Sequence, residues 1–306
     1  MINMYMMYKR QILEGFDITR SFSPLGEMGF FVDSELVPFN NDAEDFTPQN
    51  AWWMAEHSRL AYMRKSSTKK TILKKAGLPN MKFWSIDGTD CYVAYNDKTI
   101  VLAFTGTELN EGFKDILIDA EFWPTDWDHG KGWVHSGFER AFNKVWDDVK
   151  KYIDGLLENR KLWITGHSLG GALATLAASQ YPETQGVYTF GSPRIGNKKF
   201  VKSIQAPLYR IVRNRDIVTR VPTPPLYRHV GDLYFINNSQ KLKKNPSCFS
   251  MLYSRLGGSE WKILFLLVKI IIFKSKLDFI LSYFHDHSPY NYSIFMWNNL
   301  PKSDEE

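Results

Sequence analysis

Gly166-His167-Ser168-Leu169-Gly170 follows the apolar run KLWIT and precedes the small-residue stretch GALATLAAS. A serine is thereby set in a glycine-flanked turn between a short buried strand and a helix. Core filling does not ask for glycine there, because glycine packs nothing and loses the most entropy on folding. A tight strand-to-helix turn does. It lifts the serine Oγ out of the sheet edge at a helix N-terminus, and the glycines let strand and helix approach closely. The chemistry this suits is nucleophilic attack on a carbonyl, with the backbone N–H of Leu169 positioned to donate to the developing oxyanion. The bland reading, a glycine-rich turn without chemistry, does not account for the strand before the motif and the helix behind it.

A serine hydroxyl is a weak nucleophile unless a histidine accepts its proton and a carboxylate orients that histidine. Two downstream acids stand near strand ends, Asp216 in RIVRNRDIVTRVP and Asp232 in HVGDLYF. Asp216 is the better placed, since it leaves a buried run through a polar turn and enters a proline-rich loop. Asp232 lies inside a strand-like alternation and reads as exposed or salt-bridged. Among the downstream histidines, His229 opens a strand and reads as a packing or capping residue. His285 and His287 lie together in FHDHSPY, where strand-like alternation sends both to one side. His287, at the start of the turn-forming HSP, is the candidate base, with His285 in reserve. His167, inside the motif, is expected to support the site from within.

These residues need elements to hold them. TPQNAWWMAEHSRLAYM reads as a helix with Thr47 as cap and Pro48 in its first position. CYVAYN and TIVLAF read as strands. From Phe138, FERAFNKVWDDVKKYIDGLLE carries apolar residues at intervals of three and four, the stripe of one long helix. KLWITGH, GVYTFGS, LYRIVRN and HVGDLYFIN follow as strands. RKSSTKKTILKKAG reads as a basic, polar connection. Strands alternating with helices predict an α/β fold with a mostly parallel central sheet flanked by helices. Residues 1–46 read as an irregular arm, and 47–306 as one domain carrying a basic and apolar insertion at about 238–284.

At 306 residues, 44% hydrophobic and 15% aromatic, the chain can bury a large core. The 38 basic and 33 acidic residues leave a formal charge of +5. That balance, without arginines interleaved with aromatics, argues against nucleic acid as a partner but suits an anionic membrane surface. Cys91 and Cys248 show no metal-ligand spacing, and no metal or organic cofactor is implied. The opening MINMYMMYKRQILEG lacks the pattern of a secretory leader, so a cytoplasmic setting is expected, with room for peripheral membrane association.

Taken jointly, several segments resemble the class 3 lipases, the fungal-type triacylglycerol lipase family of α/β-hydrolases. They are TPQNAWWMAEHSRLAYM, VLAFTGTE, FKDILIDAEF, VHSGFERAF, ITGHSLGGALATLAA, VYTFGSPRIGN, YRIVRNRDIVTRVP and DHSPY, most of the chain. The resemblance implies an ester hydrolase acting on lipid acyl esters, with Ser168 as nucleophile, Asp216 as acid and His287 as base. It also implies that Thr107, in FTGT, supplies an oxyanion donor beside Leu169. His135 matches a supporting position. The family's arginine before Gly106 is Thr105 here, a lost charge next to the oxyanion strand.

The resemblance further implies a lid over residues 108–133, whose Phe113, Ile116, Leu117, Ile118, Phe122 and Trp123 are ordinary core residues on the plainer reading. In the apolar stretch 261–284, Lys262, Lys269 and Lys276 fall seven apart. A buried helix with snorkelling lysines fits that pattern, and so does a helix lying in a membrane interface. Two rival functions share the fold: acyl transfer to an alcohol, and lipid binding without catalysis.

Overall fold

The computed structural model describes residues 9–11, 28–106, 123–255 and 285–301. Its first long helix, α1 (Pro48–Ala61), starts where the sequence sets it. The Thr47 side chain accepts from the Asn50 N–H at 3.1 Å, and the proline occupies the first turn, where its missing donor costs nothing. The segment expected to be a connection instead forms α2 (Ser66–Lys75), which buries only Lys69 and Leu73, four residues apart on one stripe. So narrow a contact leaves little periodic signal.

Three strands then run antiparallel: β1 (Asn80–Ile86), β2 (Thr89–Tyr95) and β3 (Thr99–Phe104). A small hairpin of β4 (Pro124–Asp126) and β5 (Trp133–His135) precedes α3 (Ser136–Asn143) and α4 (Trp146–Asp154). The long helix expected from Phe138 is therefore two, with the break at Lys144–Val145. The Val145 N–H returns to Phe142 rather than one residue further back, tightening the turn. The apolar stripe survives the break, because Phe138, Phe142, Trp146, Val149 and Ile153 all stay buried.

The remaining elements are β6 (Lys161–His167), α5 (Leu169–Ala178), β7 (Gly186–Phe190), α6 (Lys198–Ser203), β8 (Leu208–Arg213), β9 (Asp232–Ile236), β10 (Leu242–Lys244), α7 (Cys248–Arg255) and α8 (Pro289–Asn298). Among the described residues the main sheet has the order β1-β2-β3-β6-β7-β8-β9-β10. From β3 through β9 its neighbours are parallel, as the alternation of elements predicts. β10 and α7 fall in the expected insertion, while 261–284 lies outside the described residues. No helix of the described residues is long and apolar enough to cross a membrane.

Both sheet faces are covered, which is why the central strands read as continuous apolar runs. Val101, Ala103 and Trp163 join one core with Trp52, Ala55, Phe295 and Trp297 of α1 and α8. Leu102, Phe104 and Ile164 join the other with Phe142, Trp146 and Leu173 of α3, α4 and α5. Residues 28–46, read as part of an arm, lay Phe31, Val37 and Ala43 into the first core. The C-terminal edge of the parallel strands thus stands between two rigid layers.

Candidate active site

At that edge the register sets Phe104 beside Gly166 and His167 beside Phe190. Ser168 comes next, with φ 60° and ψ −129°, a backbone conformation rare for a residue bearing a Cβ. Its N–H donates to the Phe190 carbonyl at 2.9 Å, which ties the turn to β7. Crowding explains the flanking glycines. A Cβ on Gly166 would stand 2.1 Å from the Gly170 carbonyl oxygen, and one on Gly170 would stand 2.4 Å from that of Phe104. Leu169 is the first residue of α5, where a helix leaves its N–H groups without intrahelical acceptors.

Ser168, Asp216 and His287 come together although His287 is 119 residues from Ser168 and 71 from Asp216. His287 Nε2 lies 2.8 Å from Ser168 Oγ, and Nδ1 lies 2.9 Å from Asp216 Oδ2 and 3.0 Å from Oδ1. An ionised carboxylate only accepts, so Nδ1 carries the proton and Nε2 keeps its lone pair for the serine hydroxyl. All three are buried, with Ser168 only 2% exposed. Asp216 also accepts from Tyr292 Oη at 2.7 Å and from the Val218 N–H at 3.0 Å. Tyr292 is held neutral well above its ordinary range by burial first and the Asp216 charge second.

Gly191 makes room for this set. Its φ of 60° is costly for other residues, and a Cβ there would meet Asp216 Oδ2 at 2.7 Å and His287 Nδ1 at 2.9 Å. Behind the base, His167 Nε2 donates to the His287 carbonyl at 2.7 Å and its Nδ1 accepts from Tyr62 Oη at 2.8 Å. Burial, and then the neighbouring His287, keep His167 neutral, well below the ordinary histidine range. Tyr62, Gly191 and Tyr292 were not singled out by sequence. The one local signal was the Ser288-Pro289 helix start, which places Tyr292 in the first turns of α8.

The other candidates lie elsewhere. Asp232 pairs with Lys244 Nζ at 3.0 Å on the sheet's far edge, and His229 Nε2 donates to the Thr219 carbonyl at 2.9 Å. His285 and His287 do not alternate along a strand; they belong to the turn that leads into α8, where His285 meets Asn291. His135 accepts from the Gly137 N–H and stacks on Phe138 at 4.2 Å, and burial holds its pKa down at about 4. Thr105 donates to the Ala61 carbonyl at 2.9 Å, an acceptor shared with Lys69 Nζ at 3.2 Å. Thr107 and most of the expected lid, residues 108–122, lie outside the described residues. Trp123 is 74% exposed.

A parallel sheet sandwiched by helices, with a strained serine turn at its C-terminal edge and a buried histidine and carboxylate beside it, is the architecture of an α/β-hydrolase. The family model for class 3 lipases matches residues 101–225. A lipase of Rhizomucor miehei is 32% identical over 224 residues, covering 67% of this chain and 58% of the relative. The solved structure of lipase II from Rhizopus niveus is 30% identical and superposes with a TM-score of 0.51, covering 62% of this chain and 80% of that one. The chain belongs to the class 3 lipase family. It spans about half the length of the curated relatives it matches.

The expected cytoplasmic setting is overturned by these relatives. One, from Fusarium solani, is named a secreted mono- and diacylglycerol lipase and is 32% identical over 171 residues, 49% of this chain and 48% of the relative. A Malassezia globosa relative is likewise named as secreted. Cys91 is buried in β2 and Cys248 is exposed on α7, and both are free.

Proposed function

We propose that this protein hydrolyses carboxylic esters of lipids, acylglycerols foremost, through an acyl-enzyme on Ser168. The observation that carries this reading is the continuous hydrogen-bonded line from Ser168 Oγ through both His287 nitrogens to Asp216. His287 Nε2 takes the serine proton as Oγ attacks the acyl carbonyl, then hands that proton to the leaving alcohol. Water, activated by the same nitrogen, releases the acid and restores the serine. Asp216 holds the tautomer and balances the transient imidazolium. The Leu169 N–H stabilises the oxyanion, joined by Thr107 on the strength of the family resemblance. The relatives named as triacylglycerol, monoacylglycerol and diacylglycerol lipases support acylglycerols as the substrate class, and the secreted ones support action outside the cell.

The test is hydrolysis of an ester series by wild type and Ser168→Ala, with a long-chain ester carried through its solubility limit. We expect kcat to fall about a millionfold in the variant, the scale seen when the nucleophile of such a unit is removed. Turnover that survives the substitution refutes the assignment. A serine-dependent jump in rate as droplets form is the result expected of a lipase rather than a soluble esterase.

A further inference from the structure

Helix α6, with sequence KKFVKS, separates two surface clefts of about 480 and 500 Å³ and lends Lys202 to both. Lys131 and Lys199 border the first; Arg194, Lys198 and Arg228 border the second. No carboxylate lines either cleft. Among the described residues none of these six cations makes an ion pair. Five are exposed, and Arg194 is half-buried and fixed by its guanidinium donating to the Arg220 and Pro222 carbonyls. His229, which also lines the second cleft, is held well below its ordinary range by burial first and then by Arg210 and Arg194.

The second cleft adjoins the candidate active site. β-Bridges link Val134 of β5 to Gly196 and Gly196 to Arg228, so the β4–β5 hairpin and the rim of the second cleft form one surface. Gly196 follows Gly191, the residue against Asp216 and His287, on a single loop leaving the C-terminal end of β7. Two apolar side chains near the second cleft and the hairpin are uncovered: Leu226 is 59% exposed and Trp123, in the hairpin's approach, 74%.

We propose that this face docks the protein on a lipid surface bearing anionic headgroups, which brings the C-terminal sheet edge to its substrate. The inference rests on the lipid-ester reading. Charge complementarity selects the occupant. The cations do not converge on one point, as a single soluble anion requires, but spread over both flanks of a helix beside exposed apolar side chains. Many headgroups at the boundary of an acyl layer match that pattern, each cation contributing separately.

Binding is measured by co-sedimentation with vesicles of phosphatidylcholine alone or with one-third phosphatidylglycerol, in a Ser168→Ala background so that no lipid is consumed. Lys198→Gln/Lys202→Gln/Arg228→Gln removes the patch, and Lys70→Gln/Lys74→Gln/Lys75→Gln on α2, which packs on the edge strand β1, removes the same charge. Preference for the anionic vesicles is expected, weakened about a hundredfold by the patch variant and barely by the control. Leu226→Ser, which leaves the charge unchanged, is expected to weaken it too. Equal loss in both charge variants, equal binding to the two vesicles, or binding to heparin without vesicles overturns the proposal. In the protein retaining Ser168, hydrolysis of a water-soluble short ester separates the two readings. If no ester is turned over, the hydrolase reading fails while vesicle binding is judged independently. If turnover of the soluble ester falls with the patch variant, the residues act on chemistry and docking is refuted.

Discussion

Asp216 receives the His287 Nδ1–H, the Tyr292 hydroxyl and the Val218 N–H, so its carboxylate is pinned from three directions. The tyrosine matters because its hydroxyl also accepts the Arg213 N–H at 2.9 Å, linking the carboxylate to the end of β8. For Tyr292→Phe we expect kcat to fall about tenfold with KM unchanged, together with a stability loss of about 1–3 kcal/mol from the orphaned buried donor. Steady-state kinetics and urea unfolding on one preparation measure both. A KM effect with normal kcat would mean the tyrosine serves substrate binding instead. None of this was legible in NYSIF, where Tyr292 reads as one more core aromatic.

At the scale of elements, α1 ends in the residues that reach the site. Ala61 offers its carbonyl to Thr105 and Lys69, and Tyr62 donates to His167. The start of the helix was readable from Thr47-Pro48 because capping is local chemistry; what its end touches was not. Thr47→Ala should cost about 1 kcal/mol by leaving the Asn50 N–H without its acceptor, and Thr47→Ser should restore most of it. Chemical denaturation of the two variants distinguishes a cap from a packing role, since packing of the methyl group would leave serine as poor as alanine. Helices α3 and α4 make the complementary point. Their shared stripe of Phe138, Phe142, Trp146 and Val149 was plain in the sequence, but periodicity registers the buried face and not the break within it.

For the whole molecule, histidines dominate the response to mild acid. Burial leads in lowering His57 to about 3 and His135 to about 4, and it leads in holding His167 and His229 well below their ordinary value. In the unfolded chain each takes a proton near 6.5, whereas in the native state each stays neutral. Stability is therefore fully present above about pH 6.5 and is lost as pH falls toward about 4 and 3, by up to about 1.4 kcal/mol per pH unit for each histidine. The urea midpoint is expected to drop clearly between pH 7 and pH 5, a window above ordinary carboxylate titration. A flat midpoint across that window would mean these rings are solvated and would undo the assignment.

What the sequence determined by itself was whatever is encoded within a few residues. The glycine-flanked Ser168 turn, the cap at Thr47, the alternation of strands and helices and the family motifs all belong there. The preference for Asp216 over Asp232 was likewise a local reading, of a polar turn after a buried strand. His287 was read from the turn-forming HSP that follows it, although the strand alternation assumed for its neighbourhood is absent. Only the tertiary structure decided which side chains surround these residues. Tyr62, His167, Gly191, Asp216, His287 and Tyr292 meet because parallel strands set their C-terminal ends in one plane and α8 closes over them. The same packing gathered six cations around α6 from segments that look unremarkably basic in the chain. Contacts of that kind depend on register and on layers meeting across more than a hundred residues, and no local pattern records them.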